Sequence, residues 1–381
     1  MSARTWRCMR LLIVGLLAIP VAVAPGGAGL LDQGRSQVEY RTWTLDADSS
    51  ETTVSQMRVP AMATARIGAA QVVLATAGAS STVDPEEGDN YSLAGPADLT
   101  VEGFLPLAHD RVLVHAGVSL PTGRTGLDAE ELEVARILSH PVLAFRLKEY
   151  GRGLDLSAGL ALAVPLAPGI SAGIGGGFMA HGAYALVEDG ADYTPGSEIS
   201  LSAGVDFGGT EDSPAPVRLD AVWRTFARDE VEGQEVFEEG DQLTFEASGR
   251  TGSGKLAASL TGRIVTQSDN TIFTSEGETV ESFRTPAGTL GLMIAAADLP
   301  VSSWLRLGLE AELSRFSGSE GGSRDGQAYG AGPIATLILG KHAHLTARAR
   351  LLSGSLETGT EGAEIDLSGT HIAVGIGLSG L

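Results

Sequence analysis

Apolar and polar residues alternate with period two along most of the chain after residue 30, the pattern of strands with two unlike faces. In 242–250, Leu243, Phe245, Ala247 and Gly249 alternate with Gln242, Thr244, Glu246, Ser248 and Arg250. In 255–264, Leu256, Ala258, Leu260, Gly262 and Ile264 alternate with Lys255, Ala257, Ser259, Thr261 and Arg263. In 305–314, Leu305, Leu307, Leu309, Ala311 and Leu313 alternate with Arg306, Gly308, Glu310, Glu312 and Ser314, and 345–351 places Arg348 and Arg350 between Leu345, Ala347, Ala349 and Leu351. Segments 154–164, 199–207 and 217–226 follow the same rule. Many of these runs have about ten residues, the length a tilted strand needs to cross a bilayer. Hydrocarbon offers no partner to a backbone N–H or C=O, so such strands span only as a closed barrel. The expected fold is therefore all-β: a closed antiparallel transmembrane β-barrel with its apolar face on lipid and its charged face inside.

The connections sharpen this expectation. Short ones fall at 165–169, 251–254, 298–302 and 340–342, and long polar ones at 186–197, 227–241, 267–284, 316–327 and 354–364. Strict alternation of short and long connections is the asymmetry of bacterial barrels, with tight periplasmic turns and longer outer loops. Both ends of such a barrel lie on the periplasmic side, so the strand number is even. Strands near 38–46, 54–67, 71–82, 96–105, 111–119 and 154–164 complete a set of about 16, with 12 or 14 as alternatives. This count makes 120–153 one outer excursion, although 142–149 can also be read as a strand. Within the excursion Asp128 and Glu131 form a capping box, Leu127 and Leu132 a hydrophobic staple, and Pro141 a stop. The resulting helix either folds inward and narrows the entrance or rests on the rim as a cap.

Residues 1–28 have the layout of a secretory signal: Arg4, Arg7 and Arg10, an apolar stretch from Leu11 to Ala24, then small residues, with Ala28 the preferred cleavage position. Residues 29–381 then form the barrel. The single Cys, Cys8, lies within the signal, so an intrachain disulfide is excluded. With 47 acidic against 26 basic residues the net charge is −21, which argues against nucleic-acid binding. No apolar run beyond the N-terminus is long enough for a transmembrane helix. The expected location is the outer membrane of a Gram-negative cell, with outer-membrane lipid, the barrel assembly machinery and a small-molecule solute as partners.

Several patterns imitate catalytic or ligand motifs. Gly249–Lys255 is followed by Leu256 and a strand pattern, where a phosphate-binding loop requires Ser or Thr and a helix. Gly375–Gly380 matches a dinucleotide fingerprint in its letters, but no βαβ unit can follow it. His342 and His344 flank a turn without a third ligand in sequence, and the acidic loop 227–241 lacks the register of a calcium loop, reading instead as a solvated loop. No cofactor, metal or catalytic residue is implied. The informative set is the charged phase: Arg218, Asp220, Arg224, Glu246, Arg250, Lys255, Arg263, Arg306, Glu310, Glu312, Arg348 and Arg350 are the candidate lumen-lining residues. Charges of both signs on neighbouring strands can pair into a rigid interior or order a passing solute.

Within 95–123, Gly95-x-x-Asp98-Leu99 opens a strand, a turn follows at Pro106–Asp110, and the next strand runs into Leu120-Pro121-Thr122-Gly123. This stretch resembles the phenol meta-pathway outer-membrane proteins, relatives of the fatty-acid and aromatic-hydrocarbon transporter barrels. The resemblance implies passage of hydrophobic or aromatic small molecules; it transfers no binding residue. The chain departs from the family in its terminal Leu381, where an aromatic is usual, and in its thin aromatic content of 5%. The sequence thus points to a non-enzymatic channel for passive uptake, gated by 120–153. Its competitors are a structural or surface-interaction barrel with a plugged lumen, and an outer-membrane lipid hydrolase.

Overall fold

The computed structural model describes residues 31–379 except 48–49, 209–216, 252–255, 283, 319–324 and 358–363. The signal segment, Lys255 and the terminal Leu381 lie outside the described residues.

Sixteen antiparallel strands form the wall. The first eight are β1 (Leu31–Ala47), β2 (Ser50–Ile67), β3 (Ala70–Pro85), β4 (Tyr91–Pro96 and Leu99–Leu107), β5 (Val112–Leu120), β6 (Asp155–Ala167), β7 (Ile170–His181) and β8 (Glu198–Phe207). The second eight are β9 (Val217–Phe226), β10 (Gln242–Thr251), β11 (Ala257–Gln267), β12 (Gly288–Pro300), β13 (Leu305–Gly318), β14 (Gly326–Ile338), β15 (Ala343–Glu357) and β16 (Glu364–Ser379). Each pairs with its neighbours in the chain, and β1 pairs with both β2 and β16, which closes the barrel. The two segments of β4 both pair with β3 and therefore make one strand, broken at Ala97 and Asp98. The even count and the single excursion between β5 and β6 agree with the sequence. The stretch 142–149 is no strand; it opens with the 3₁₀ turn Pro141–Leu143 and continues irregularly.

Alternation sets the two faces. On β13, Leu307, Leu309 and Leu313 are exposed while Glu310, Glu312, Ser314 and Phe316 on the alternate phase are buried. Leu309 is 68% exposed and Leu351 75%. Leu156, Leu160, Ile174, Phe178, Leu201, Leu219, Phe245, Leu260, Ile264, Ile372 and Val374 carry the apolar band around the outside. Trp304 and Val301 mark its lower edge beside a short turn. Water would not tolerate so large a continuous apolar surface on a monomeric soluble protein, whereas lipid is its natural solvent.

The wall is uneven in height. β1, β2, β3, β15 and β16 have 15 to 18 residues, while β5, β8, β9 and β10 have 9 or 10. Above the short side sits a second, five-stranded sheet built from Tyr184–Ala185, Asp192–Thr194, Arg228–Val231, Gln234–Glu238 and Thr271–Ile272, with a short helix at Ser275–Glu281. The acidic loop 227–241 is thus mostly a β-hairpin of this cover, and Asp229 within it is buried. That corrects the expectation of a purely solvated loop.

Leu309 lies near the middle of the apolar band. Leu309→Arg is expected to destabilise the folded barrel by about 2–4 kcal/mol, the cost of a cation at the bilayer midplane, while Ser200→Arg on the interior phase is tolerated. Equilibrium refolding into phospholipid vesicles at graded urea would measure both.

Candidate functional site: a lumen divided by an inward-folded segment

The excursion between β5 and β6 folds into the barrel. Asp128 caps helix α1 (Ala129–Leu138), accepting from the Glu130 and Glu131 backbone N–H groups, and the Glu131 carboxylate accepts in return from the Asp128 N–H. The helix ends at Leu138 with Ser139 as its C-cap, whose N–H closes the last turn, and His140 is extended, as the residue before Pro141 favours. Val134, Ala135, Leu138, Val142, Leu143 and Phe145 then pack onto interior apolar residues: Trp43 of β1, Val54 of β2, Val83 of β3, Leu93 of β4, Phe316 of β13, Leu352 of β15 and Leu367 of β16. The inward option is the one adopted. Burial of this apolar cluster holds the segment against one side of the wall.

Hydrogen bonds fix its path. Arg41 Nη1 and Trp43 Nε1 both donate to the Leu143 carbonyl at 2.9 Å. Gln56 donates to the Leu147 carbonyl at 2.7 Å and accepts from its N–H at 3.3 Å. The Asp98 carboxylate accepts from the N–H groups of Gly123 at 2.6 Å and Arg152 at 2.7 Å, tying the two ends of the segment together at the break in β4. These ends cross closely enough that a Cβ on Gly123 would lie 2.1 Å from the Tyr150 carbonyl oxygen, so glycine is required there. Tyr150 hydrogen-bonds Ser81 at 2.9 Å, and burial pushes its phenol up to about 12.

Beneath the segment lies a buried charge network. Arg41 pairs with Glu312 at 2.9 Å, and Arg350 pairs with Glu312 and, at 3.1 Å, with Glu310. Arg348 reaches Glu310 at 3.4 Å, and Arg350 Nε lies 3.2 Å from His371 Nδ1. The other charged-phase residues pair more openly: Arg218 with Asp220 at 2.7 Å, Arg224 with Glu198 at 3.2 Å, Arg263 with Glu246, and Arg306 with Asp298 at 2.7 Å. Arg250 stands exposed at the end of β10. Arg41, Glu198, Asp298 and His371 complete the pairs, and the sequence reading omitted them. Each follows its own strand's alternation, so continuing the phase through β1, β8, β12 and β16 would have identified them.

The opposite wall is left bare. Gly117, Gly159, Gly173, Gly175 and Gly177 interleave there with Ser157, Ala161, Ser171, Ser200 and Ser202 on strands β5 to β8. Two cavities follow one another along this wall. The outer one, about 370 Å³, is lined by Asp98, Glu102, Tyr150, Arg152, Asp155 and Ser157. The inner one, about 800 Å³, is lined by Arg66, Phe104, Ala161, Ser202, Asp206 and Arg218. Phe104 stacks on His115 with ring centroids 4.9 Å apart at the seam between them.

A second polar hub joins the inward segment to the outer cover. Arg284, 10% exposed, donates to the Tyr193 hydroxyl and to Asp229 at 3.3 Å, and lies 3.9 Å from Glu149 of the segment. Tyr193 in turn donates to Asp229, and burial raises its phenol. Burial acts to raise the Glu149 carboxyl, but Arg152, Arg284 and Lys148 outweigh it and hold the group below its ordinary value.

A closed antiparallel barrel with an apolar girdle, an ion-paired interior and longer connections on one side is an outer-membrane-type β-barrel. No protein-family model matches the chain, and no curated protein matches it in sequence. Solved structures of similar layout include the CymD monoaromatic hydrocarbon channel, at 10% identity, covering 96% of this chain and 92% of that one with a TM-score of 0.41. Another is Pseudomonas aeruginosa OccK7 (OpdD), at 12% identity, 92% and 99% coverage and a TM-score of 0.38. A third is a loop L8 deletion mutant of OmpT, an outer membrane protein of Vibrio cholerae, at 13% identity, 92% and 99% coverage and a TM-score of 0.40. At these identities the likeness is one of architecture.

The lowered Glu149 carboxyl contributes stability that is full above the ordinary carboxylate range and is lost as pH falls through its folded value. The neighbouring Glu239, raised by burial, works in the opposite direction. Acidification below about pH 4 is expected to speed hydrogen exchange at 149–152, and Glu149→Gln to remove most of that pH dependence. Exchange measured by mass spectrometry from pH 7 to pH 3 in detergent would show it.

Proposed function

We propose that this protein is an outer-membrane channel through which small molecules pass by diffusion along the β5–β8 wall. The observation that carries the reading is the asymmetry of the lumen. One side is filled by the inward segment, and on the other the interior phase of β6 to β8 is mostly Gly, Ala and Ser beside two successive cavities. A barrel built only as a scaffold has no need of a wall of Gly, Ala and Ser, which gives up packing contacts that larger residues would supply.

Passage is governed by the width left beside the segment and by the charges along it. The candidate lumen-lining residues divide in function under this reading. Glu310, Glu312, Arg348 and Arg350 form the buried network that supports Arg41, the residue that donates to the segment, whereas Arg218 and Asp220 border the route itself at the inner cavity. Charges of both signs there suit a solute that is polar or weakly polar and compact. The stacked Phe104 and His115 offer a flat apolar face at the seam, compatible with the hydrophobic or aromatic molecules implied by the resemblance. Segment 120–153 acts as a constriction anchored by its hydrogen bonds. No covalent chemistry enters this reading.

Narrowing the route should lower its conductance. Ala161→Leu combined with Ser202→Leu, both at the inner cavity, is expected to reduce single-channel conductance at least two-fold in planar bilayers, and deletion of 124–140 to increase it. Absence of any conductance or liposome uptake by folded wild-type protein would overturn the channel reading in favour of a scaffold barrel. Incubation with phospholipid and lipopolysaccharide, followed by mass analysis, tests hydrolysis separately.

A further inference from the structure

The outside of the barrel has one feature that transport does not use. Across β9 to β13 the lipid-facing surface is hollowed into an apolar groove of about 520 Å³. Its floor includes Gly262 and Gly291, and its flanks are Phe245, Ile264, Met293 and Leu313. A Cβ added at Gly262 would meet nothing within 4 Å, and at Gly291 only the Arg315 carbonyl oxygen at 3.9 Å, so the hollow is open rather than filled by neighbours. On the flanking positions Phe245, Ile264, Met293 and Leu313 stand out from the wall and give the hollow its sides.

Arg315 stands at one end of the groove. It follows Leu309 and Leu313 on the lipid-facing phase of β13 and is exposed, and it makes no ion pair with any described residue. Its depth follows from strand geometry. Arg315 lies 11 residues from Trp304 (315 − 304), which marks the lower edge of the apolar band. At roughly 2.5 Å of height per residue in a strand tilted by about 40°, that separation is about 28 Å, close to the thickness of the hydrocarbon layer. Arg315 therefore sits at the outer interface, at headgroup level. Gly291 pairs with Arg315, and Ile264 with Gly291. Measured from the inner ends of their strands, Gly291 stands nine residues from Pro300 and Ile264 seven from Ala257. The row thus descends from the interface into the hydrocarbon.

From this arrangement we infer that the groove is a docking site for an outer-leaflet phosphorylated glycolipid of the lipid A class, with one acyl chain along Gly291 and Gly262 and a phosphate on the Arg315 guanidinium. The charge complementarity selects the occupant. A cation at headgroup depth above an apolar hollow fits an anionic lipid, and guanidinium recognises phosphate in bidentate geometry. A second copy of this chain would instead bring its own arginine close to this one across a symmetric contact. The inference rests on the outer-membrane placement but is independent of whether the lumen conducts.

Full-length barrel in mild detergent, titrated with bisphosphorylated lipid A and read by native mass spectrometry, tests this. The wild type is expected to retain one lipid, with Arg315→Gln reducing the retained fraction at least five-fold. Gly262→Leu combined with Gly291→Leu should give a similar loss, and both variants should keep the wild-type heat-modifiable mobility on electrophoresis and the wild-type β-sheet circular dichroism, which show that the barrel is folded. Dephosphorylated lipid A should bind the wild type no better than lipid A binds Arg315→Gln. Equal retention by the wild type and all variants would overturn the inference. So would phosphatidylglycerol binding as well as lipid A, or a dimer by light scattering that the glycine substitutions abolish.

Discussion

The constraint on which the rest depends is that a backbone in hydrocarbon must pair every N–H and C=O within the protein. For a chain made of strands this permits one solution, closure, and here closure is the pairing of β1 with β16 along fourteen residues of each. Once closed, the sheet has an inside and an outside, and a side chain's position in the alternation decides its solvent. The outward phase is under no packing demand, because lipid fills any shape; it can carry Leu309 or Gly262 with equal ease. The inward phase is under a strict one, since every charge there needs a partner or water. The pairing of Arg41, Arg350, Glu310 and Glu312 meets that demand where the interior is dry.

The same closure creates a problem of volume. Sixteen strands enclose more space than their own side chains fill, as the larger barrels do generally. The chain fills part of it with its own excursion, 120–153, and leaves the rest. This division explains an otherwise odd distribution of residue size on the inner face. Large apolar residues such as Trp43, Leu93 and Phe316 occur where the segment packs, and Gly, Ala and Ser where nothing does. Wall and segment are thus complementary, and the residues facing the free space keep it open.

How much of this was legible in the sequence follows from what alternation can and cannot carry. Strand positions, the even count, the sense of the turns and the capped helix are local or depend on period two, and they appear in the structure as expected. The inward fold of the segment was not legible, because its signal takes the form of breaks in the pattern. Leu351 and Leu352 are adjacent leucines, one 75% exposed to lipid and the other buried against the segment. In a binary pattern Leu352 is indistinguishable from noise. Trp43 and Phe316, large apolar residues on the charged phase near the outer ends of their strands, carry the same message. The outer cover was missed for another reason. Its strands are two to five residues long, too short for any period to emerge, and they pair across three separate loops.

Those loops also bear on the protein's charge. The interior balances its acids with arginines, so much of the negative excess lies outside the wall, and the cover is where it meets a positive centre. Arg284 draws Asp229 from one loop and Glu149 from the inward segment toward one guanidinium, with the Tyr193 hydroxyl between. An arginine shielded from water and shared among several acceptors is held far more rigidly than a surface ion pair, which contributes little. Its effect is to join two elements that share no barrel strand. The stretch of the segment that lines the outer cavity beside β5 and β6 is thus tied to the cover by this contact, while the segment's apolar side chains tie it to the wall.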